Sequence, residues 1–243
     1  MNDTSASRAE QDARPTGTVR ILVWDAPVRV FHWLMVALFA GAWLTSESEQ
    51  WRLIHATLGY TMVGLVALRI VWGVAGTKYA RFASFVRSPA SVIRYVTQIV
   101  KGHPERYVGH NPAGALAIVA MLLLTLALGA SGWAEYNDAG GKWLGESHEG
   151  VANVMLALIA LHVLAVLASS FLHRDNLVRA MVTGYKSGRP DEGIRKARWG
   201  VAALLIALVA GGWWMQWTSA PLAPAATQST GDAGHSRADG DGD

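Results

Sequence analysis

Five runs of apolar residues, roughly 28–45, 54–74, 113–131, 149–172 and 199–217, punctuate the chain, and each is long enough as a helix to cross about 30 Å of hydrocarbon. In lipid, backbone polar groups must be satisfied without water, which for isolated runs of this length leaves the α-helix. The expected fold is therefore all-α: an integral membrane four-helix bundle plus a fifth transmembrane helix. With 51% hydrophobic and 16% charged residues, the composition agrees. The expected divisions are a flexible tail over 1–19, a membrane domain with four spans over 20–190, a fifth span within 191–218 and a second tail over 219–243. The opening residues, MNDTSASRAEQDARPTGT, lack the apolar core of a cleaved secretory signal. In the long connection between spans two and three, SPASVIRYVTQIVKG reads as a surface helix.

Orientation follows from the basic residues, because short loops with a Lys/Arg excess stay cytoplasmic. Arg8, Arg14, Arg20 and Arg29 precede or open the first span, and Lys78, Arg81, Arg87, Arg94, Lys101 and Arg106 lie between spans two and three. Arg174, Arg179, Lys186, Arg189, Arg195, Lys196 and Arg198 lie between spans four and five, against Arg52, Lys142 and Arg237 on the other side. The N-terminus is expected in the cytoplasm and the C-terminus outside. Most tryptophans sit at span ends, where their amphipathic rings favour the headgroup layer. Asn111 and Pro112 suit the N-cap and first position of the third span. No nucleic-acid partner is expected; the lipid itself is one.

The chemistry centres on HEGVANVMLALIALH, residues 148 to 162. Fourteen helical steps are about 21 Å and nearly four turns, so both imidazoles leave one face. Histidine inside a lipid-spanning run is expensive and marks a functional site whose partner must be sought. His32 matches His162 in depth in the cytoplasmic halves of spans one and four; His55 and His148 open spans two and four at the outer surface. Taken singly, His32, His55 and His148 need no explanation so near an interface. Their joint arrangement in two matched pairs favours ligation. Facing imidazoles across a bundle can fill both axial positions of a haem iron, which then cycles between oxidation states without an open site. With no Cys in the chain, any haem must be held non-covalently.

His173, eleven residues beyond His162, is the rival ligand, but it lies about 16 Å further along the helix. His103 and His110 are assigned to a cytoplasmic loop and His235 to the C-terminal tail. Arg69, inside the second span, is placed either to neutralise a haem propionate or to snorkel to the interface; Arg29 could serve the same carboxylates. Gly41, Gly59, Gly64, Gly114 and Gly129 would make room for a flat macrocycle, or simply for close helix packing.

The runs WDAPVRVFHW, HATLGY with LRIVWGVAG, GHNPAGA, and SHEG with HVLAVLASSFLHRDNLVRAMVTG resemble the bacterial cytochrome b561 family, which includes the b-type cytochrome subunits of nickel-iron hydrogenases. The resemblance spans residues 20 to 188. It implies a four-helix core in the bacterial inner membrane with two b haems, passing electrons between quinone and a redox partner. Its ligands would be His32, His55, His148 and His162, the residues chosen by depth. The fifth span and acidic tail depart from the minimal pattern, which bears on the partner.

Glu47, Glu49, Glu135, Asp138, Glu146, Glu149 and four aspartates of the tail make the outer face acidic. Such a face would steer a basic soluble protein, such as a periplasmic c-type cytochrome, toward an outer haem; it also follows from the positive-inside asymmetry alone. The leading expectation is transmembrane electron transfer with possible quinone oxidoreductase activity. The alternative is the membrane anchor and electron-accepting subunit of a periplasmic enzyme such as a nickel-iron hydrogenase. A zinc-dependent intramembrane enzyme lacks support, since there is no H-E-x-x-H and Glu149 points about 100° away from His148 on a helix.

Overall fold

The computed structural model describes residues 17–102 and 105–219. The expected tails lie outside these residues apart from 17–19 and 219. The element order is β1 (Val19–Leu22), α1 (Ala26–Thr45), α2 (Arg52–Ala75), α3 (Phe82–Phe85), α4 (Pro89–Val100), α5 (Pro112–Tyr136), α6 (Trp143–His173), α7 (Leu177–Thr183), β2 (Tyr185–Gly188) and α8 (Trp199–Ser219). Five helices, Ala26–Thr45, Glu49–Ala75, Pro112–Tyr136, Trp143–Leu172 and Trp199–Ser219, are long and apolar enough to cross a membrane. The surface helix appears as α4.

Local chemistry sets the helix starts. Asp25 caps α1 by accepting from the Val28 N–H at 2.9 Å, with a proline in the first turn. Asn111 caps α5 by accepting from the Gly114 N–H at 2.7 Å, with Pro112 leading the helix. Helix α6 begins at Trp143, so His148 lies in its second turn and does not open it. The polar segment WLGES winds into the helix ahead of the apolar run, and Glu146 in the first turn complements the positive end of the helix dipole.

Close packing joins α1 to α2, α2 to α5, α5 to α6, and α8 to α1. Helix α6 makes no comparably extensive contact with α1 or α2 among the described residues. Leu38, Met62, Leu65 and Leu205 form one buried cluster, drawing on α1, α2 and α8. The fifth span is also hydrogen-bonded to α2, Trp213 Nε1 donating to Thr61 Oγ1 at 2.9 Å and Gln216 Nε2 to Thr57 Oγ1 at 2.7 Å. Much of the apolar surface of the spans faces outward, as with Leu161, Leu164 and Phe171 on α6, since lipid solvates such side chains as well as a protein core does.

One feature departs from a purely helical expectation. Residues Val19–Leu22, partly assigned to the N-terminal tail, pair antiparallel with Tyr185–Gly188, Val19 opposite Gly188 and Leu22 opposite Tyr185. The turn into β2 is made by Gly184 at φ 89°, whose carbonyl accepts from both Val23 and Trp24 N–H groups at 2.8 and 3.0 Å. A Cβ there would come within 2.7 Å of the Trp24 carbonyl oxygen. Ile21, Val23, Trp24 and Ala180 form a second buried cluster around this strand end of the bundle.

The strand end is tied together by Asp25, only 1% exposed. Besides capping α1, its Oδ2 accepts from Trp72 Nε1 at 3.0 Å and Thr77 Oγ1 at 2.7 Å, joining the start of α1 to the end of α2. Asp25→Ala strands these buried donors and is expected to cost about 2–4 kcal/mol. Thermal unfolding in detergent should show a clearly lower midpoint; an unchanged midpoint contradicts the assignment.

Candidate functional site

The fold brings His55 and His148 together at the end opposite the strands. His55, in the first turn of α2, and His148, in the second turn of α6, present their rings 6.1 Å apart between centroids at an angle of 69°. Two metal–nitrogen bonds of about 2 Å, plus about 1 Å from each nitrogen to its ring centre, come to roughly 6 Å. The rings therefore stand at a separation that one iron between them requires.

Each ring is held through Nδ1. That of His55 is 2.9 Å from the Ala42 carbonyl oxygen of α1, and that of His148 is 3.0 Å from Ser131 Oγ of α5. A ligating histidine is commonly oriented by a hydrogen bond to its other nitrogen. With Nδ1 engaged in both rings, Nε2 is the nitrogen that could serve as a ligand. Ser131 and Gly132 are site residues that the sequence reading missed. A Cβ on Gly132 would lie 3.0 Å from His148 Cε1, so glycine there admits the ring. Their only signal in sequence is two small residues near the end of a span, which is commonplace.

Towards the strand end, His32 lies in the second turn of α1 and His162 on α6, both half-buried and within electrostatic reach of each other. His32 Nδ1 is buried without a partner, and its ring stands edge-on to Trp33 at 5.2 Å. His173 is the last residue of α6, and its side chain lies outside those described. No group of three or more His, Cys, Asp or Glu side chains suited to a bare metal ion occurs among the described residues. Imidazoles in twos suit an iron whose remaining ligands come from a macrocycle.

The basic residues differ in their availability. Arg29 is 8% exposed; its Nη1 donates to the Val182 carbonyl at 2.6 Å and its guanidinium lies over the Trp199 ring at 4.9 Å. It fastens α7 and α8 to α1, with only Nε left unpartnered. Arg69 is 4% exposed, lies over the Phe82 ring at 5.0 Å, and leaves Nη1 unpartnered. A buried guanidinium of this kind is not snorkelling to water.

His110 is not an open-loop residue. Its ring is packed between Trp24 at 4.5 Å and Phe85 at 4.6 Å, with Nδ1 buried and unpartnered. Burial, followed by the positive charges of Arg69 and Lys186, pushes its pKa down to about 3, so the ring is neutral near pH 7. His103 and His235 lie outside the described residues. Of the glycines, Gly129 faces Val63 and Gly41 faces Leu58, which is helix packing, whereas Gly59, one turn from His55, and Gly64 face open space.

The sequence profile described as "Prokaryotic cytochrome b561" matches residues 23–184. Among curated proteins, one from Rhizobium leguminosarum bv. viciae, named "Probable Ni/Fe-hydrogenase B-type cytochrome subunit", is 23% identical over 211 residues, covering 68% of this chain and 87% of the relative. One from Escherichia coli (strain K12), named "Probable Ni/Fe-hydrogenase 1 B-type cytochrome subunit", is 24% identical over 212 residues, covering 68% of this chain and 90% of the relative. A Cupriavidus necator relative is 24% identical over 213 residues, with 68% and 86% covered. No solved structure matches.

Ser131→Ala removes the hydrogen bond that orients His148, and loss of such a partner typically weakens metal binding about 10–100-fold. Titration of haem into haem-depleted protein should show weaker binding at the outer position only. Unaltered affinity there contradicts the role given to Ser131.

Proposed function

The chain belongs to the prokaryotic cytochrome b561 family, and from that premise we propose that it carries electrons across the membrane through two non-covalent b haems. His55 with His148 and His32 with His162 are the proposed axial ligands, and Arg69 and Arg29 the partners of the inner haem's propionates. The observation that carries the reading is the facing of His55 and His148, 6.1 Å apart with both Nδ1 atoms already engaged.

Haem held by a pair of these histidines would supply one-electron chemistry. The protein's part is to hold the ligands. Ala42 and Ser131 fix which nitrogen of His55 and His148 faces inward, so reorientation of the rings accompanies electron transfer as little as possible. The apolar helices exclude water around the pairs. The fourteen helical steps from His148 to His162 set the ligand pairs about 21 Å apart along α6, which would divide the crossing into shorter transfers. In the proposed orientation, in a bacterial inner membrane, the strand end faces the cytoplasm and the His55–His148 end the periplasm, in keeping with the excess of Lys and Arg at the strand end. Quinone in the bilayer is the proposed membrane-soluble partner.

A second reading is favoured by the names of the relatives: membrane anchor and electron-accepting subunit of a nickel-iron hydrogenase. Stoichiometric co-purification with such an enzyme supports it. Isolation alone, with salt-sensitive electron exchange to a basic c-type cytochrome, supports a free-standing shuttle.

A pyridine haemochrome count on purified protein tests the ligand assignment. Wild type should hold two haems per chain, and His148→Ala and His162→Ala one each, with different residual spectra. Two haems retained in either variant would exclude that histidine as a ligand.

A further inference from the structure

Four buried polar atoms without a partner lie in side chains at the strand end: Arg69 Nη1, Arg29 Nε, His110 Nδ1 and His32 Nδ1. His32 is a proposed ligand. The others are donors, or can be, and a buried donor left unmet is costly, more so when charged.

Arg69 and His110 belong to one contiguous group of rings. The Arg69 guanidinium lies over Phe82, Phe82 meets Phe85 at 5.7 Å, Phe85 meets His110 at 4.6 Å, and His110 meets Trp24 at 4.5 Å. The carboxylate that influences Arg69 is Asp25, yet the oxygens of Asp25 already accept from Val28, Trp72 and Thr77, and no ion pair joins it to Arg69 among the described residues. Arg69 is thus a buried cation without an ion-pair partner among the described residues. His110 also borders a cavity of about 190 Å³ whose charged lining is Lys78, Arg87 and Glu192, two cations to one acid.

We propose that His110 and Arg69 together form a carboxylate seat that receives a propionate of the inner haem and turns that edge of the macrocycle toward the strand end. The proposal rests on the reading that His32 and His162 hold a haem. Arg69 supplies charge, and the imidazole supplies one N–H donor whose direction is fixed by Trp24 and Phe85. His110 is a positioning residue and not an iron ligand. Its packing between two aromatic rings is the means by which a residue just ahead of α5 contributes to a site between α1 and α6.

The test compares His110→Phe, which keeps a flat ring between Trp24 and Phe85 but removes the donor, with His110→Gln, which restores an N–H donor. Both are made in the full chain, purified with its haems. The readouts are the rate at which the inner haem passes to apomyoglobin and the propionate bending band in resonance Raman spectra. His110→Phe should release the inner haem about tenfold faster or more, as expected for loss of a hydrogen bond to a charged group, and should shift the band. His110→Gln should restore most of both, and the outer haem should be unchanged in each variant. An unmoved band in His110→Phe, whatever the release rate, overturns the proposal, as does equal disturbance by the two variants. Wild type with no inner haem would instead overturn the ligand assignment beneath it.

Discussion

An imidazole placed in hydrocarbon must find a partner, and α6 carries two of them on one face of a helix that packs chiefly against α5. The geometry of the bundle answers that constraint. Among the described residues α6 packs far less closely on α1 and α2 than on α5. At the end opposite the strands the His55 and His148 rings nonetheless stand 6.1 Å apart, edge-on at 69°. Both rings are already aligned by hydrogen bonds from neighbouring helices, so ordering them at the moment of binding costs little.

Holding histidines from different helices in register requires rigidity elsewhere. At the strand end this comes from buried polar contacts: Asp25 joins α1 to α2, Arg29 joins α1 to α7 and α8, and Lys186 Nζ donates to the carbonyls of Tyr107 and Val108 at 3.3 and 2.9 Å. Within the membrane layer, α8 packs on α1 and hydrogen-bonds to α2. The fifth span thus braces the first two helices and leaves the four-helix site intact.

The spans, the Asn111 cap and the shared depth of His55 and His148 are legible in the sequence because each depends on residues close together along the chain. Apolar run length sets the helices, and spacing along α6 sets the depth of its imidazoles. What escaped was long-range. The β1–β2 ladder joins residues more than 160 positions apart through two strands of only four residues each. Ser131 and Gly132 matter only because α5 lies against His148. His110 reads as a loop histidine until folding places Trp24 and Phe85 on either side of it. Arg69 could not be separated from a snorkelling side chain until its burial beneath Phe82 was seen.

The central claim is that electrons cross the bilayer through the two histidine pairs. It is tested most directly in sealed vesicles containing the purified protein, with ferricyanide trapped inside and a membrane-impermeant reductant added outside. Wild-type protein should reduce the trapped ferricyanide, and His162→Ala, which breaks the path at the inner pair, should do so far more slowly at equal protein loading. Equal rates for the two proteins, or no transfer by wild type with its haems in place, would contradict it.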